Sequence, residues 1–256
     1  MPIPEADPGR ASICLSDLHL TSVQTPVFEM LKLTLQQAAA RGDNVFLLGD
    51  LCEVWVGDDD DAELASAFRQ LLQQTARHTW VGLMHGNRDF LFGEQLSRDT
   101  GAALLPETFR LGSHVLLTHG DQYCIDDQPY QQMRTLLRSP QWQASVMAQT
   151  LTERRALAAD LRRQSSAANA NKAANIMDVN AEAVAEAMSS AHCAIMIHGH
   201  THRPGWHRLA DFDRLVLGDW DKTAWVARLA ANVSTGAPDR ARLRAGIELQ
   251  CLPFRQ

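Results

Sequence analysis

The stretch AIMIHGHTHRP, residues 194–204, decides how this chain is read: the apolar run Ala194 to Ile197 passes straight into His198, His200 and His202. A short apolar run bounded by Gly and polar residues predicts a buried strand. The histidines then fall on the loop that leaves it. The same arrangement recurs upstream. Ile13 to Ser16 runs into Asp17-Leu18-His19, Val45 to Leu48 into Gly49-Asp50, Trp80 to Met84 into Gly86-Asn87-Arg88-Asp89, and Val115 to Thr118 into His119-Gly120-Asp121. In open α/β sheets ligands bind beyond the carboxyl ends of the strands, so polar clusters at five strand ends predict one shared site.

Between the early strands, Val27 to Ala40 and Ala62 to Ala76 have the pattern of crossover helices, which predicts an α/β fold. Apolar runs at Leu215 to Leu217, Ala224 to Leu229 and Ile247 to Leu252 predict further strands, expected to build a second sheet. The stretch 129–172 breaks the rhythm. Ser139 followed by Pro140 is a cap and first-turn pair, and Trp142, Val146 and Leu151 are expected to share one helix face. Strand-like runs lie on both sides, so residues 1–256 read as a single domain carrying a helical insertion. Within it, seven basic residues (Arg134, Arg138, Arg154, Arg155, Arg162, Arg163, Lys172) face two acidic ones (Glu153, Asp160), a local +5 that leaves −11 elsewhere. The run Asp58 to Asp61 lacks the glycine and terminal glutamate of a calcium loop, and reads as a solvated loop leading into the cap of the next helix.

The whole chain carries 24 Lys plus Arg against 30 Asp plus Glu, a net charge of −6 over 256 residues. That balance argues against a nucleic-acid partner, whose binding domains carry a basic excess. An anionic substrate would need a local positive field. A chain of this length can bury about 75% of its unfolded surface and needs no disulfide to fold. The amino terminus MPIPEADPGR is acidic and Pro-rich, unlike a secretory or transit segment, and no run approaches the roughly 20 apolar residues of a membrane span. Five cysteines, odd in number and without a CxxC pair, read as reduced thiols in a cytosolic protein.

Aspartate, asparagine and histidine together suit hard-to-borderline divalent ions such as Mn²⁺, whereas structural zinc favours thiolates. Taken singly, an Asp or His at a strand end is more often a turn residue or cap than a ligand. The ordered set Asp-x-His, Gly-Asp, Gly-Asn-Arg-Asp, His-Gly and Gly-His-Thr-His resembles the calcineurin-like metallophosphoesterases. That resemblance implies a four-layer β-sandwich flanked by helices and a pair of divalent ions. One ion would be held by Asp17, His19, Asp50 and His202, the other by Asp50, Asn87, His119 and His200, with Asp50 bridging. Many members have a histidine after the asparagine, acting as proton donor to an alcohol leaving group; here Arg88 stands in its place. A guanidinium is a poor general acid but clamps phosphate, which suits a leaving group that is itself a phosphate.

The longer strings LSDLHL (15–20), LLGDLCEVWVGDDDD (47–61), HGNRDFLFG (85–93), LTHGDQYCIDD (117–127), NIMDVN (175–180) and IHGHTHRP (197–204) resemble the UDP-2,3-diacylglucosamine diphosphatase family. This likeness implies hydrolysis of that lipid-linked sugar nucleotide to UMP and 2,3-diacylglucosamine 1-phosphate in lipid A biosynthesis. It further implies two Mn²⁺ ions, a peripheral location on the cytoplasmic face of the inner membrane, and a helical cap over the acyl chains. By matching position, Asp50, Asn87, Arg88 and His119 are the catalytic candidates, and Asn87, Arg88, Asp127, Ser165, Asn169, Lys172 and His200 the substrate contacts. Ser165, Asn169 and Lys172, at i, i+4 and i+7, would share a helix face with Arg162. The likeness thins over 129–164, where Gln141, Gln143 and Gln149 interrupt the apolar pattern. The rival readings are another binuclear nucleotide-sugar pyrophosphatase or phosphodiesterase on the same scaffold, and a metal-free interaction scaffold.

Overall fold

The computed structural model describes residues 5–169, 178–233, 235 and 239–254. Along the chain run β1 (Ser12–Leu15), α1 (Pro26–Arg41), β2 (Asn44–Leu47), α2 (Glu63–Ala76), β3 (Val81–Leu83), α3 (Glu94–Thr100), β4 (Ala103–Leu104), β5 (Thr108–Leu111) and β6 (Val115–Thr118). Three helices follow, α4 (Gln128–Leu137), α5 (Pro140–Met147) and α6 (Leu151–Asn169), then α7 (Ala181–Ala191). The chain closes with β7 (Ile195–His198), β8 (Gly205–Arg208), β9 (Asp213–Val216), β10 (Thr223–Leu229), α8 (Arg240–Ala245) and β11 (Ile247–Pro253). All five apolar runs expected to end in polar clusters are strands.

The strands form two sheets, ordered β11-β10-β1-β2-β3-β4 and β5-β6-β7-β9-β8. The expectation that the carboxyl-terminal strands make the second sheet is therefore corrected. Of the three expected strands β9 alone joins it, parallel to β7 and beside β8, whereas β10 pairs antiparallel with β1 and β11 with β10. Nothing local in an apolar run specifies which distant edge it will pair with. The period of two within each strand assigns its faces. Ile13 and Leu15 of β1, Val45 and Leu47 of β2, and Val81 and Leu83 of β3 pack under α1 and α2 with Leu31, Leu35, Phe68 and Leu72. Their alternates Cys14 and Phe46 meet Val115, Leu117, Ile195, Ile197 and Leu215 of the other sheet. The outer face of that sheet, Leu116 and Met196, is covered by Val184 and Met188 of α7. Helix, sheet, sheet, helix is the four-layer sandwich expected, and the polar ends of β1, β2, β3, β6 and β7 gather along one rim.

The insertion breaks into three helices, each started by its own cap, with Thr150 Oγ1 accepting from Glu153 N at 3.3 Å ahead of α6. The Asp127 carboxylate accepts from Tyr130 N at the start of α4, and Ser139 Oγ accepts from Trp142 N at the start of α5, with Pro140 in its first turn. Leu151 opens α6 and so does not share the α5 face of Trp142 and Val146 that the sequence spacing predicts.

The acidic run behaves differently from a solvated loop. Asp58 accepts from Gly93 N at 3.0 Å and Leu96 N at 2.8 Å at the start of α3, and from Trp55 Nε1 at 3.1 Å. Asp59 binds Arg154, whose guanidinium also donates to the Val56 carbonyl at 2.6 Å, and Asp60 and Asp61 pair with Arg155. The cap of α2 is instead Ala62, which makes no side-chain bond. On the other side of the insertion, Arg134 and Arg138 reach the buried Asp121 and also Glu107. Five of the insertion's arginines, counting Arg162 on Glu53, are thus spent on anchoring it.

Candidate metal centre

Seven described residues other than glycine have left-handed backbone, and five of them are ligands expected from sequence: Asp17 (φ 55°), His19 (47°), Asp50 (53°), His200 (65°) and His202 (51°). Each such residue costs roughly 1–2 kcal/mol, tolerated best by Asp, Asn and His. Turning the chain left-handed straight after each strand points these side chains back over the rim. Two glycines permit the crowding. A Cβ at Gly86 would overlap the backbone nitrogen and carboxylate of Asp50, and one at Gly199 would overlap the Asp17 carboxylate.

The side chains meet in two groups that share Asp17. Asp17, His19 and His202 form one, with His202 Nε2 at 3.3 Å from Asp17 Oδ1 and 3.4 Å from His19 Nε2. Asp17, Asp50 and His119 form the other. Asp50 lies between them, Oδ2 at 3.9 Å from His19 Nε2 and Oδ1 at 3.8 Å from His119 Nε2. Asn87 Oδ1 completes the second group, 3.2 Å from His119 Nε2 and 2.9 Å from His200 Nδ1.

The hydrogen bonds behind the ligands select lone pairs for the centre. His119 Nδ1 donates to the Leu48 carbonyl at 2.8 Å, leaving Nε2 as acceptor, and His19 Nδ1 donates to Glu53 Oε2 at 3.0 Å with the same result. The Asn87 oxygen therefore faces nitrogen lone pairs, an arrangement that is repulsive unless a cation lies among them. With no cation, the amide nitrogen suits that position better, donating to Asp50 Oδ2 and His119 Nε2, each at 3.2 Å. Carboxylates, imidazoles and one amide oxygen converging this way fit a divalent ion or pair.

Electrostatics agree. Burial alone would lower the histidine pKa values, but the Glu53 bond with the Asp50 and Asp17 charges raises His19, the Asp50, Asp17 and Asp121 charges raise His119, and the Asp17 bond raises His202. Burial works against the Asp17 carboxylate too, yet the His202 bond and the His119 charge hold it well below the usual range. The cluster thus attracts positive charge, whether proton or metal. His200 is the exception, lowered to about 4 by burial and by His119, so it stays a neutral donor. Asp89 is pushed up to about 6 by burial and by Asp50; its carboxylate gathers the amides of Gly86, Asp50 and Leu51 and so ties two ligand loops together.

Beside the centre opens a chamber of about 400 Å³. Asn87 and Arg88 line it together with Trp55 and Phe90 of the core and Trp142, Val146 and Leu161 of the insertion. Arg88 donates its backbone N–H to Asp50 Oδ1 at 2.8 Å, and its guanidinium Nε lies 3.9 Å from Asp50 Oδ2. Ser165 also lines the chamber. Asp127 is 5% exposed and acts as the cap of α4. Asn169 ends α6, its side chain outside the described atoms, and Lys172 lies outside the described residues. His198, given no role from sequence, is buried between the Gly199 carbonyl and Arg214. Glu53 carries no sequence signal: a lone Glu among apolar neighbours forms no motif, and its place beside His19 follows from the Leu20–Cys52 bridge of the fold. Of the seven basic residues counted in 129–172, five arginines are paired with core acids and Arg163 with Asp160 of α6, so the local +5 does not stand as free positive charge there.

Residues 12–204 match the calcineurin-like phosphoesterase family model. The chain is 41% identical over 228 residues to the UDP-2,3-diacylglucosamine hydrolase of Cellvibrio japonicus, covering 86% of this chain and 95% of that one. It is 39% identical over 233 residues to the protein of the same name from Pseudomonas aeruginosa, covering 88% and 97%. For the one from Bordetella pertussis the figures are 42% over 216 residues, covering 80% and 84%. The chain therefore belongs to the calcineurin-like phosphoesterases, among which it falls in the UDP-2,3-diacylglucosamine hydrolase family.

Proposed function

We propose that this chain, one domain with its insertion as a cap, hydrolyses the diphosphate of UDP-2,3-diacylglucosamine to UMP and 2,3-diacylglucosamine 1-phosphate, using two divalent ions, most simply Mn²⁺. The observation that carries the reading is the chamber: one cavity is lined both by Asn87 and Arg88 of the ligand cluster and by the apolar faces of α5 and α6. A water-soluble nucleotide sugar has no use for the second lining. A diacylated one does, with each buried methylene contributing about 0.8 kcal/mol.

Asp17, His19, Asp50 and His202 are assigned to one ion, and Asp50, Asn87, His119 and His200 to the other. Two ions held there supply a water of lowered pKa and positive charge for the phosphoryl oxygens. The chain's own part is orientation and charge. Leu48 and Glu53 keep the His119 and His19 lone pairs aimed inward. Arg88, its side chain 18% exposed in the chamber, is positioned to hold a phosphate oxygen by a charge-assisted bond. A guanidinium is a poor general acid, and a departing sugar phosphate needs none. Ser165, Asn169 and Lys172 are assigned to the sugar and phosphate, along with His200; Asp127 acts through the start of α4.

No helix among the described residues is long and apolar enough to cross a membrane. The side chains of Ile125, Met133, Leu136 and Met147 are exposed on and beside α4 and α5, which supports a cap that meets the inner-membrane surface from the cytoplasmic side to collect its lipid. No nucleic-acid partner is proposed. The test compares UMP release from UDP-2,3-diacylglucosamine and from its unacylated counterpart. A strong preference for the diacylated substrate is expected, and equal kcat/KM values would refute the lipid assignment in favour of a general nucleotide-sugar pyrophosphatase.

A further inference from the structure

Glu53 stands where the cap meets the metal centre. Its backbone is held beside the Asp17-Leu18-His19 loop by the parallel bridge of Leu20 to Cys52 and by its own amide, which donates to the Leu20 carbonyl at 3.0 Å. Its carboxylate has two partners from separate parts of the fold. Oε2 accepts from His19 Nδ1 at 3.0 Å, and Oε1 pairs with the Arg162 guanidinium of α6. Each partner has its own oxygen, so the two contacts do not compete. The geometry also limits how they form: the Glu53 side chain is 24% exposed and Arg162 32%, so both are partly withdrawn from water within the chamber lining.

Each contact has a separate consequence. A carboxylate behind a ligating imidazole fixes the tautomer and the ring plane, and makes the other nitrogen a better donor. Here that nitrogen is His19 Nε2, which faces Asp50 Oδ2 and His202 Nε2. The second contact fastens the middle of α6, eight residues beyond the Arg154 anchor, to a group bonded to His19. We infer that Glu53 is a positioning residue that couples docking of α6 to occupancy of the His19 side of the metal centre. A cation on His19 Nε2 polarises the ring, strengthens its Nδ1–H donation and orders the Glu53 carboxylate, which then presents a preset oxygen to Arg162. Linkage makes the effect reciprocal, so a docked α6 tightens the cation. This inference rests on the metal-centre part of the proposed function and not on the identity of the substrate.

The experiment follows Mn²⁺ binding to metal-stripped protein by calorimetry and, in parallel, hydrogen exchange of α6 with and without Mn²⁺, with β6 and β7 amides as the control for folding. In the unaltered protein Mn²⁺ should raise protection of α6. Glu53→Ala should weaken one Mn²⁺ site by about 10–100-fold and abolish the response of α6. Glu53→Gln keeps an acceptor for His19 Nδ1–H but loses the charge that holds Arg162. It should lose the α6 response while losing less Mn²⁺ affinity than Glu53→Ala, and Arg162→Ala should also lose the response. An α6 that ignores Mn²⁺ in the unaltered protein, or Mn²⁺ affinity in Glu53→Ala equal to that protein's, overturns the inference. Should Glu53→Ala fail to fold, a retained α6 response in both Glu53→Gln and Arg162→Ala overturns it equally. Absence of any Mn²⁺ binding in the unaltered protein would refute the metal centre itself, a result distinct from either.

Discussion

Replacing Arg154 by Met tests whether the acidic run is what holds the cap on the core. Methionine keeps the length of the stem and removes the guanidinium. Arg154 is 4% exposed, and its Nη1 donates to the carbonyl of Val56, itself 2% exposed. Stripping a buried carbonyl of that donor costs about 1–3 kcal/mol. The ion pair adds less, because the Asp59 side chain is 56% exposed and water screens it; an exposed pair contributes about 0–1 kcal/mol. A combined loss of about 1–4 kcal/mol corresponds to a roughly 5- to 900-fold shift of the docked cap toward the undocked one. Hydrogen exchange of α6 reads that shift directly, since its opening free energy should fall by this amount while β6 and β7 keep theirs. If α6 exchanges as before, the contacts of Arg154 do not anchor the cap, and the structural reading of the Asp58–Asp61 run is refuted.

Asp50→Ala removes the carboxylate shared by both ion sites and should abolish turnover in protein that keeps its far-UV circular dichroism; substantial residual activity would exclude a bridging role. Arg88→Ala should lower kcat/KM by about 10- to 100-fold, the loss of one charge-assisted phosphate bond of roughly 1.5–3 kcal/mol, while Mn²⁺ binding persists; lost metal would make Arg88 structural instead. Burial and Arg214 depress His198 to about 3 from an ordinary value of 6.5, so the folded state disfavours its proton. Its contribution to stability is thus full above pH 6.5 and falls as the pH drops toward 3. In metal-free protein, a His198→Asn variant should be less stable at pH 7, with a deficit that shrinks by up to about 1.4 kcal/mol per pH unit below 6.5. Thermal unfolding across that range checks the sign, and a constant deficit would contradict it.

Much of the candidate site was legible because each proposed ligand follows a strand that is apolar on both faces. Such strands announce themselves as short runs, and whatever comes next must lie at the rim. Their convergence was not written locally. It depends on two sheets stacking Cys14 and Phe46 against Ile195 and Ile197 so that both rims coincide, and on left-handed turns at Asp17, Asp50 and His200 that no residue pattern marks uniquely. The cap was the least legible part. Its helices were predicted from Ser139-Pro140 and the apolar spacing, but an aspartate in Asp58–Asp61 has the same composition whether it faces water or an arginine some 95 positions away. Charge summed over a segment likewise said nothing of where each charge is spent. Glu53 shows the same limit, since its role arises only when the Leu20–Cys52 bridge brings the β1 and β2 loops side by side.

The most direct measurement is a titration of metal-stripped protein with Mn²⁺ in which bound metal and the rate of UMP release from UDP-2,3-diacylglucosamine are followed together. Two ions per chain, no turnover without metal, and a rate that rises with filling of the second site are expected. Full turnover in stripped protein, or maximal turnover with a single ion bound, would contradict the shared centre built on Asp50.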